Sequence, residues 1–486
     1  SNDNDGLTAN GGGVHIRNVD TQRMITGQGW GGDYPFPGLN SWTNNEVLAV
    51  RVAYSPIEPV DSLTATPGHK QVDLTWVAPG SGTVTEYIVY SGTSTSTMEA
   101  VGTSTSTSYT VTGLTNGTTY YVGVQVKSNG DYSGVPLAQA MPEWTGPVWY
   151  VDADNGSNTT GEGSPESPVQ GIQTGIDLAS AGDTVRVLPG RYATANDQYL
   201  RFVVDQAGGN YSVKNVILQS SQGPDSTFID GENYSIGKRL FEFIDGTDTA
   251  STQVIGFTIV NGKATDDNGS SVYISNSGVT FKNCVIDSSL GSRSAAVALH
   301  DNSVVRFIDC VIKNSTNSAT GFDNNAYGGA FAVFGNSRLE LYQTEVTNNE
   351  ATAESEVARG AGVFIDWEIG NRFLAVNTLI ADNSLSSNNN DYRGAGVCIS
   401  NGQSTIINST IAGNSYSGTN KSGAGIYVDW GSGSDTRLTV FNSIIWANYP
   451  EWDQIFFGNS STVKAITYSI LGGMNPDEYA ASNKNV

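Results

Sequence analysis

Between Tyr327 and Asn448, short apolar runs recur behind a triplet of small residues. Gly328-Gly329-Ala330 leads into Phe331-Ala332-Val333-Phe334, and Gly360-Ala361-Gly362 into Val363-Phe364-Ile365. Gly394-Ala395-Gly396 leads into Val397-Cys398-Ile399, and Gly423-Ala424-Gly425 into Ile426-Tyr427-Val428. A second strand follows each, ending on Gln343, Asn377, Asn408 or Asn442, at intervals of 34, 31 and 34 residues. The amide is followed by Thr344, Thr378, Ser409 or Ser443, and two residues later by Val346, Ile380, Ile411 or Ile445. The runs are too short for helices and are punctuated by Gly and Asn, so they predict strands. A unit this small cannot bury its own apolar face, and copies must stack as a β-solenoid. Coils about 4.8 Å apart would let the amides form one inward-facing ladder that satisfies turn backbone. Asn283 and Asp309 fall at the same position in Phe281–Ile286 and Phe307–Ile312 and should continue it.

Two other patterns precede the solenoid. Residues 57–142 alternate apolar and polar positions in Gln71–Trp76, Glu86–Tyr90 and Thr119–Val126, with turn signals at sandwich spacing. Trp76 is expected to plug the space between two sheets. Leu63-Thr64-Ala65, Val72-Asp73-Leu74-Thr75-Trp76, Tyr109–Leu114 and Asn116–Tyr121 make this segment resemble a fibronectin type III domain. That resemblance implies a spacer or binding platform of an extracellular protein. Residues 1–56 carry an aromatic knot (Trp30, Tyr34, Phe36, Trp42) and one strand, Glu46–Ala53, with Val47 on one side and Leu48, Val50 and Val52 on the other. A lone strand leaves its backbone groups unpaired. It should dock on its own chain or be donated to another copy, with Trp30, Tyr34, Phe36, Trp42, Val47, Val50 and Val52 forming the joint.

From Val148 to Val486 the solenoid pattern dominates, with strands recurring for about ten coils. Ile172–Ala179 reads as a short amphipathic helical turn, the natural cover for an open solenoid end. The opening YVDADNGS…IQTGIDLASAGDTVRVLPGRY makes residues 148–480 resemble the pectate-lyase-like right-handed parallel β-helix superfamily. The closing VFNSIIWANYPEWDQIFFGN…YSILGG resembles the last coils of secreted bacterial β-helix proteins with a further sorting signal. The expected fold is therefore all-β, a sandwich followed by a right-handed parallel β-helix. This superfamily hosts lyases, hydrolases, adhesins and inert surface proteins, so the resemblance implies fold more than activity.

Charge narrows the partners. The formal net charge is −23 over 486 residues, which argues against nucleic acid and anionic membranes. No apolar stretch approaches the roughly 20 residues of a membrane span. Ser1 opens no signal-peptide pattern, and Val486 follows no sorting signal, so a mature or trimmed chain is expected. Three Cys do not form a disulfide framework. Cys284 and Cys310 share a register position one coil apart and should be stacked thiols or a coil-to-coil disulfide.

Candidate chemistry is sparse. The polygalacturonase branch of the resemblance would bring a His-Gly pair and an Arg-Ile-Lys run, yet His300 precedes Asp301-Asn302 and no Arg-Ile-Lys occurs. The metal and base signatures of the lyase branches are also missing. Arg338, Arg372 and Arg437 fall five residues before the amide, with Gln403 at that place in the intervening coil; Arg359 and Arg393 each precede a Gly-Ala-Gly. Such columns either pair with carboxylates such as Glu340, Asp366 and Asp435 or line a groove for an anionic glycan. Trp367 and Trp430, each after an Asp, suit stacking on sugar rings or on a partner chain. Asp152, Asp154 and Asn155 alternate on an extended segment, a possible calcium site without EF-hand spacing. The sequence thus favours a secreted, non-catalytic surface, matrix or adhesive protein whose partners are polysaccharide or further copies of itself. A polysaccharide lyase or glycoside hydrolase is the alternative.

Overall fold

The structure is a computed structural model describing residues 7–9, 14–16, 57–205, 211–231, 239–244, 246–264, 269–292, 294–319, 325–354, 356–387, 392–417, 423–429, 436–450, 454–458 and 463–472. The chain divides into two compact units, Ser1–Thr145 and Gly146–Val486. In the first, Leu7–Ala9 pairs antiparallel with Val14–Ile16. The aromatic knot and the strand expected at Glu46–Ala53 lie outside the described residues. The rest of this unit is the expected sandwich. Asp61–Gly68, Gln71–Val77 and Ser108–Thr112 form one sheet, and Glu86–Gly92, Glu99–Ser104, Tyr120–Ser128, Asp131–Tyr132 and Leu137–Ala140 the other. Val72, Leu74 and Trp76 meet Tyr87, Val89, Val122, Val124 and Val126 in its core. The Trp76 and Tyr87 rings meet edge to face at 5.2 Å.

The second unit is a parallel β-helix. Three long sheets of eleven, ten and nine strands run along it, with a six-stranded sheet beside them. The nine-stranded sheet limits the coils that contribute to all three long sheets, so complete coils fall slightly short of the ten expected. The interior is built from columns of identical or similar side chains. Ile286, Ile312, Val346, Ile380, Ile411 and Ile445 stack in register and are fully buried. Phe281 stacks on Phe307 at 4.8 Å. The helix Ile172–Leu178 covers one end with Ile172 and Ile176 inward. Its last carbonyls would be orphaned, but the buried Lys214 ammonium donates to Ile176 O (3.0 Å) and Asp177 O (2.6 Å).

The corners set the register, and here the expected amide ladder is corrected. Asn283, Asp309, Gln343, Asn377, Asn408 and Asn442 do occupy one corner, each with φ between 48° and 54°. All six are exposed. Asn and Asp tolerate the left-handed conformation because their short side chains bond locally. That conformation turns the chain so that the residue after it, not the residue itself, faces inward. The inward position holds Cys284, Cys310, Thr344, Thr378, Ser409 and Ser443, all buried. Their amides point along the axis: Thr378 N donates to Ser409 Oγ (3.1 Å), Ser409 N to Ser443 Oγ (3.1 Å) and Ser443 N to Ser469 Oγ (3.2 Å). Cys284 N donates to Cys310 Sγ in the same way (3.4 Å), and both cysteines are free thiols.

The inward asparagine ladder stands at the next corner. Ser315 N donates to Asn349 Oδ1 (3.1 Å), Asn349 N to Asn383 (3.0 Å), Asn383 N to Asn414 (3.1 Å) and Asn414 N to Asn448 (3.1 Å). Gln454 closes it, accepting from Asn448 N at 3.1 Å and donating back to Asn448 O at 2.9 Å. A third corner repeats the device through Ser277, Ser303, Ser337 and Asn371.

Two stability outcomes follow. Asn414→Leu removes donors to Ile380 O, Ala412 O and Asn448 Oδ1 and strips Asn383 of its acceptor. It should cost roughly 3 kcal/mol or more, whereas Asn408→Leu should cost roughly 1–2 kcal/mol, the strain of a left-handed leucine together with one exposed bond from the Asn442 side chain; urea midpoints rank the two. The double change Cys284→Ser, Cys310→Ser puts into two coils the hydroxyl that Ser409 and Ser443 already carry at that position. It should cost about 1 kcal/mol or less, and a larger loss in the same titration contradicts the equivalence of the corners.

Candidate functional site

One face of the nine-stranded sheet carries aromatic and charged side chains, of which Ala332, Phe364, Cys398 and Tyr427 are buried in an apolar cluster with Tyr327, Phe334 and Phe456 packed against it. Along it, Glu242, Tyr273, Ala298, Ala332, Phe364, Cys398, Tyr427 and Phe456 succeed one another in register. A second column begins with Ser275 and His300 and continues in the residues that follow each strand, Phe334, Asp366, Ser400 and Asp429. The small-residue triplets bring the chain into this sheet. A Cβ on Gly396 would come within 2.5 Å of Gly425 O, so the coils pass too closely for any side chain there. Just before the triplets, Ala326–Tyr327, Ala358–Arg359 and Tyr392–Arg393 pair as a small parallel sheet that puts Tyr327, Arg359 and Arg393 in one column.

Rings and guanidinium groups interleave along this face. His300 stacks on Phe334 at 4.6 Å and lies 5.3 Å from Tyr273. Tyr327 stacks on Phe364 at 5.0 Å, and Tyr427 on Phe456 at 5.4 Å. Arg239 Cζ is 4.2 Å from the Tyr273 ring, Arg359 Cζ is 4.5 Å from Trp367 and 5.8 Å from Tyr327, and Arg393 Cζ is 5.7 Å from Tyr427. Such contacts hold a cation in place without neutralising it. Trp367 is 44% exposed, the most open ring of the group.

The carboxylates differ in company. Glu242 is gripped by Arg201 and Arg239, each at 3.3 Å, and by the Tyr199 hydroxyl at 2.9 Å. Asp429 pairs with Arg393 at 2.8 Å and accepts from the Tyr427 hydroxyl at 3.3 Å. Asp366 is 9% exposed, and its Oδ1 has no hydrogen bond. Burial pushes its pKa up to about 7; the Trp367 amide opposes this, the Glu368 carboxylate reinforces it, and Arg359 draws it back. Cys398 between these coils is also pushed up by burial, to about 12, which keeps it an inert thiol.

Of the residues singled out from sequence, Arg359, Arg393 and Trp367 come together on this face. Arg338, Arg372, Gln403 and Arg437 do form one column, but on the eleven-stranded sheet. There Arg338 pairs with Glu340, which Arg306 also holds at 2.6 Å. Arg372 donates to the carbonyls of Ile369 and Asn371, both at 2.9 Å. Trp430 and Asp435 lie outside the described residues. Asp152 accepts from the amides of Asp154 (3.0 Å) and Asn155 (3.1 Å) and from the Asn155 side chain (3.1 Å). Burial pulls its pKa upward, but these bonds prevail and lower it. No group of three or more His, Cys, Asp or Glu that could hold a metal occurs among the described residues. Tyr273, His300, Phe334 and Arg239 were missed, because each is a single outward position with no motif around it; only their common register marks them.

Family profiles match part of each unit. The fibronectin type III domain profile matches residues 58–138, and a family described as "Protein of unknown function (DUF1565)" matches residues 154–337. No curated protein matches. Among solved structures, a Yersinia enterocolitica family 28 exopolygalacturonase is 12% identical, with 86% of this chain and 97% of that chain covered and a TM-score of 0.28. A rhamnogalacturonan lyase is 11% identical over 62% and 74%, with a TM-score of 0.31. Titin kinase with its flanking domains is 18% identical over 22% and 23%, with a TM-score of 0.17. The chain spans only 35% and 23% of the length of the two titin structures it matches. All these scores are below 0.5, so the likeness says nothing of activity.

Asp366 makes a stability test. Its native pKa of about 7 lies above the ordinary 3.8, so the native state binds the extra proton between those values. Stability is therefore greatest at the acid end of that window and declines as pH rises to about 7, by roughly 1.4 kcal/mol for each unit of difference. Asp366→Asn should abolish the decline, melting above the wild type at pH 8 and close to it near pH 4; parallel melting curves at all pH values contradict this.

Proposed function

We propose that this is a secreted polysaccharide-binding surface protein, with the outer face of the nine-stranded sheet as its binding face and the fibronectin type III domain as a spacer. The supporting observation is the exposed Trp367 ring with the Arg359 guanidinium against it, set among the rings of Tyr327, Phe334 and Phe456 that flank the buried cluster of this sheet. Sugar rings offer apolar C–H faces and hydroxyl edges, and aromatic faces flanked by fixed charged donors complement both. The net charge of the whole chain, −23, argues against contact with nucleic acid.

Asp366 and Asp429 support a second, catalytic reading. They occupy one column two coils apart, so their backbones are separated by roughly 10 Å. One is held towards its protonated form by burial, and the other is paired with Arg393. Two carboxyl groups in such different company are what acid/base cleavage of a glycosidic bond with inversion requires.

Affinity electrophoresis of the full chain against neutral and acidic polysaccharides separates these outcomes. Binding should weaken roughly tenfold in Trp367→Ala, and unchanged retardation on every polymer removes the binding-face assignment. Shortening of the polymer, lost in both Asp366→Asn and Asp429→Asn, would replace the non-catalytic reading with the hydrolase.

A further inference from the structure

We propose that Arg359 anchors a subsite for an anionic substituent of the glycan, a carboxylate or a sulfate, beside the buried Asp366 and Ser400. This rests on the polysaccharide-binding face and specifies one position on it. The repeat itself provides the comparison. Arg359 and Arg393 are register partners one coil apart in the same small sheet. Arg393 has Asp429 at 2.8 Å. Arg359 is only 7% exposed, yet its Nε and Nη1 have no hydrogen-bond partner. The aromatic faces of Trp367 and Tyr327 flank it, and Asp366 acts on it through space rather than through a hydrogen bond. A buried guanidinium left with idle donors is costly unless something accepts from them, and a planar oxyanion is the group that arginine recognises best.

Other unpartnered atoms gather around the same coil. Asp366 Oδ1 and Ser400 Oγ, in adjacent coils of the nine-stranded sheet, are both buried without a hydrogen bond. They supply further polar contacts for a substituent that reaches Arg359, and Trp367 offers the open ring on which its sugar would lie. No such vacancy of partners attends Glu242, which is bonded by Arg201, Arg239 and Tyr199.

Asp366 controls the charge of this position. Ionised, it would compete for Arg359 and repel an incoming oxyanion; protonated, it does neither and can donate a hydrogen bond. Around it stand Glu368 from its own strand end, Arg359 and Arg393 with Tyr327 from the small sheet, and Cys398, Tyr427 and Asp429 from the following coils. Of these, Glu368 favours the proton and Arg359 disfavours it, so an anion that occupies Arg359 tips the balance towards the protonated acid. Binding of the anionic sugar should therefore take up a proton.

The test is calorimetric titration of the full chain with sodium polygalacturonate, dextran sulfate, neutral dextran and sodium sulfate, well below and well above pH 7. Both acidic polymers should bind more tightly than dextran, and their affinity should fall by up to about tenfold per pH unit above 7. Asp366→Asn should remove that slope and keep tight binding at the alkaline end. Arg359→Gln, checked by its melting curve, should remove the preference for acidic over neutral polymer. An Asp366→Asn profile that follows the wild type, or an Arg359→Gln protein that keeps the preference, overturns the subsite. Displacement of the acidic polymers by sulfate at equal anion concentration also overturns it, assigning Arg359 to a free anion. If neutral dextran binds and acidic polymers bind no better, the subsite fails while the binding face stands; if no polymer binds, the binding face itself fails.

Discussion

Each corner of this β-helix leaves a buried amide that points along the axis, and only the next coil can satisfy it. That requirement orders the rest of the molecule. Strand pairing alone would tolerate a slip of register, because its donors and acceptors are the same at every residue. The corner amides do not, since a side-chain oxygen or sulfur must arrive at one place in each coil. Cys310, Ser409, Ser443 and Ser469 do this at one corner, and Asn349, Asn383, Asn414 and Asn448 at another. With the corners fixed, Ile286, Ile312, Val346, Ile380, Ile411 and Ile445 fall in one column, and so do the rings and charges of the outer face.

The period was legible in the sequence because left-handed corners select Asn and Asp, and those residues recur visibly. Which way they point was not legible. An Asn at a left-handed corner and an Asn one residue past one look alike in sequence, yet Asn408 is exposed and Asn414 is fully buried. The cue lay in the neighbours: Asn349, Asn383, Asn414 and Asn448 keep the same residue type, while the exposed corner drifts among Asn, Asp, Gln and, at Tyr468, an aromatic. At the Asn corner invariance across copies marks the buried position, whereas the buried place at the other corner passes from Cys through Thr to Ser and keeps only a small hydrogen-bonding group.

The candidate site was half legible for a related reason. Arg359 and Arg393 stood out because each precedes a Gly-Ala-Gly, and Trp367 because it follows Asp366. Their differing circumstances did not, for pairing depends on whether a carboxylate rises from the adjoining column. The column of Arg338, Arg372 and Arg437 shows the other outcome. There Glu340 lies on the same strand as Arg338 and opposite Arg306, so these three charges close on each other, while Arg372 turns to backbone carbonyls.

The corner bonds also have a direction. In every ladder the amide belongs to the earlier coil and the acceptor to the later one, until Gln454 receives from Asn448 and returns a bond to it. A chain emerging from the ribosome would thus complete each coil only on delivery of its successor, and the growing end would always hold one set of unsatisfied amides. Completion of the coils would in this sense be vectorial, running from the helix-covered end towards Gln454, where the Asn series folds back upon itself and no longer asks for another layer.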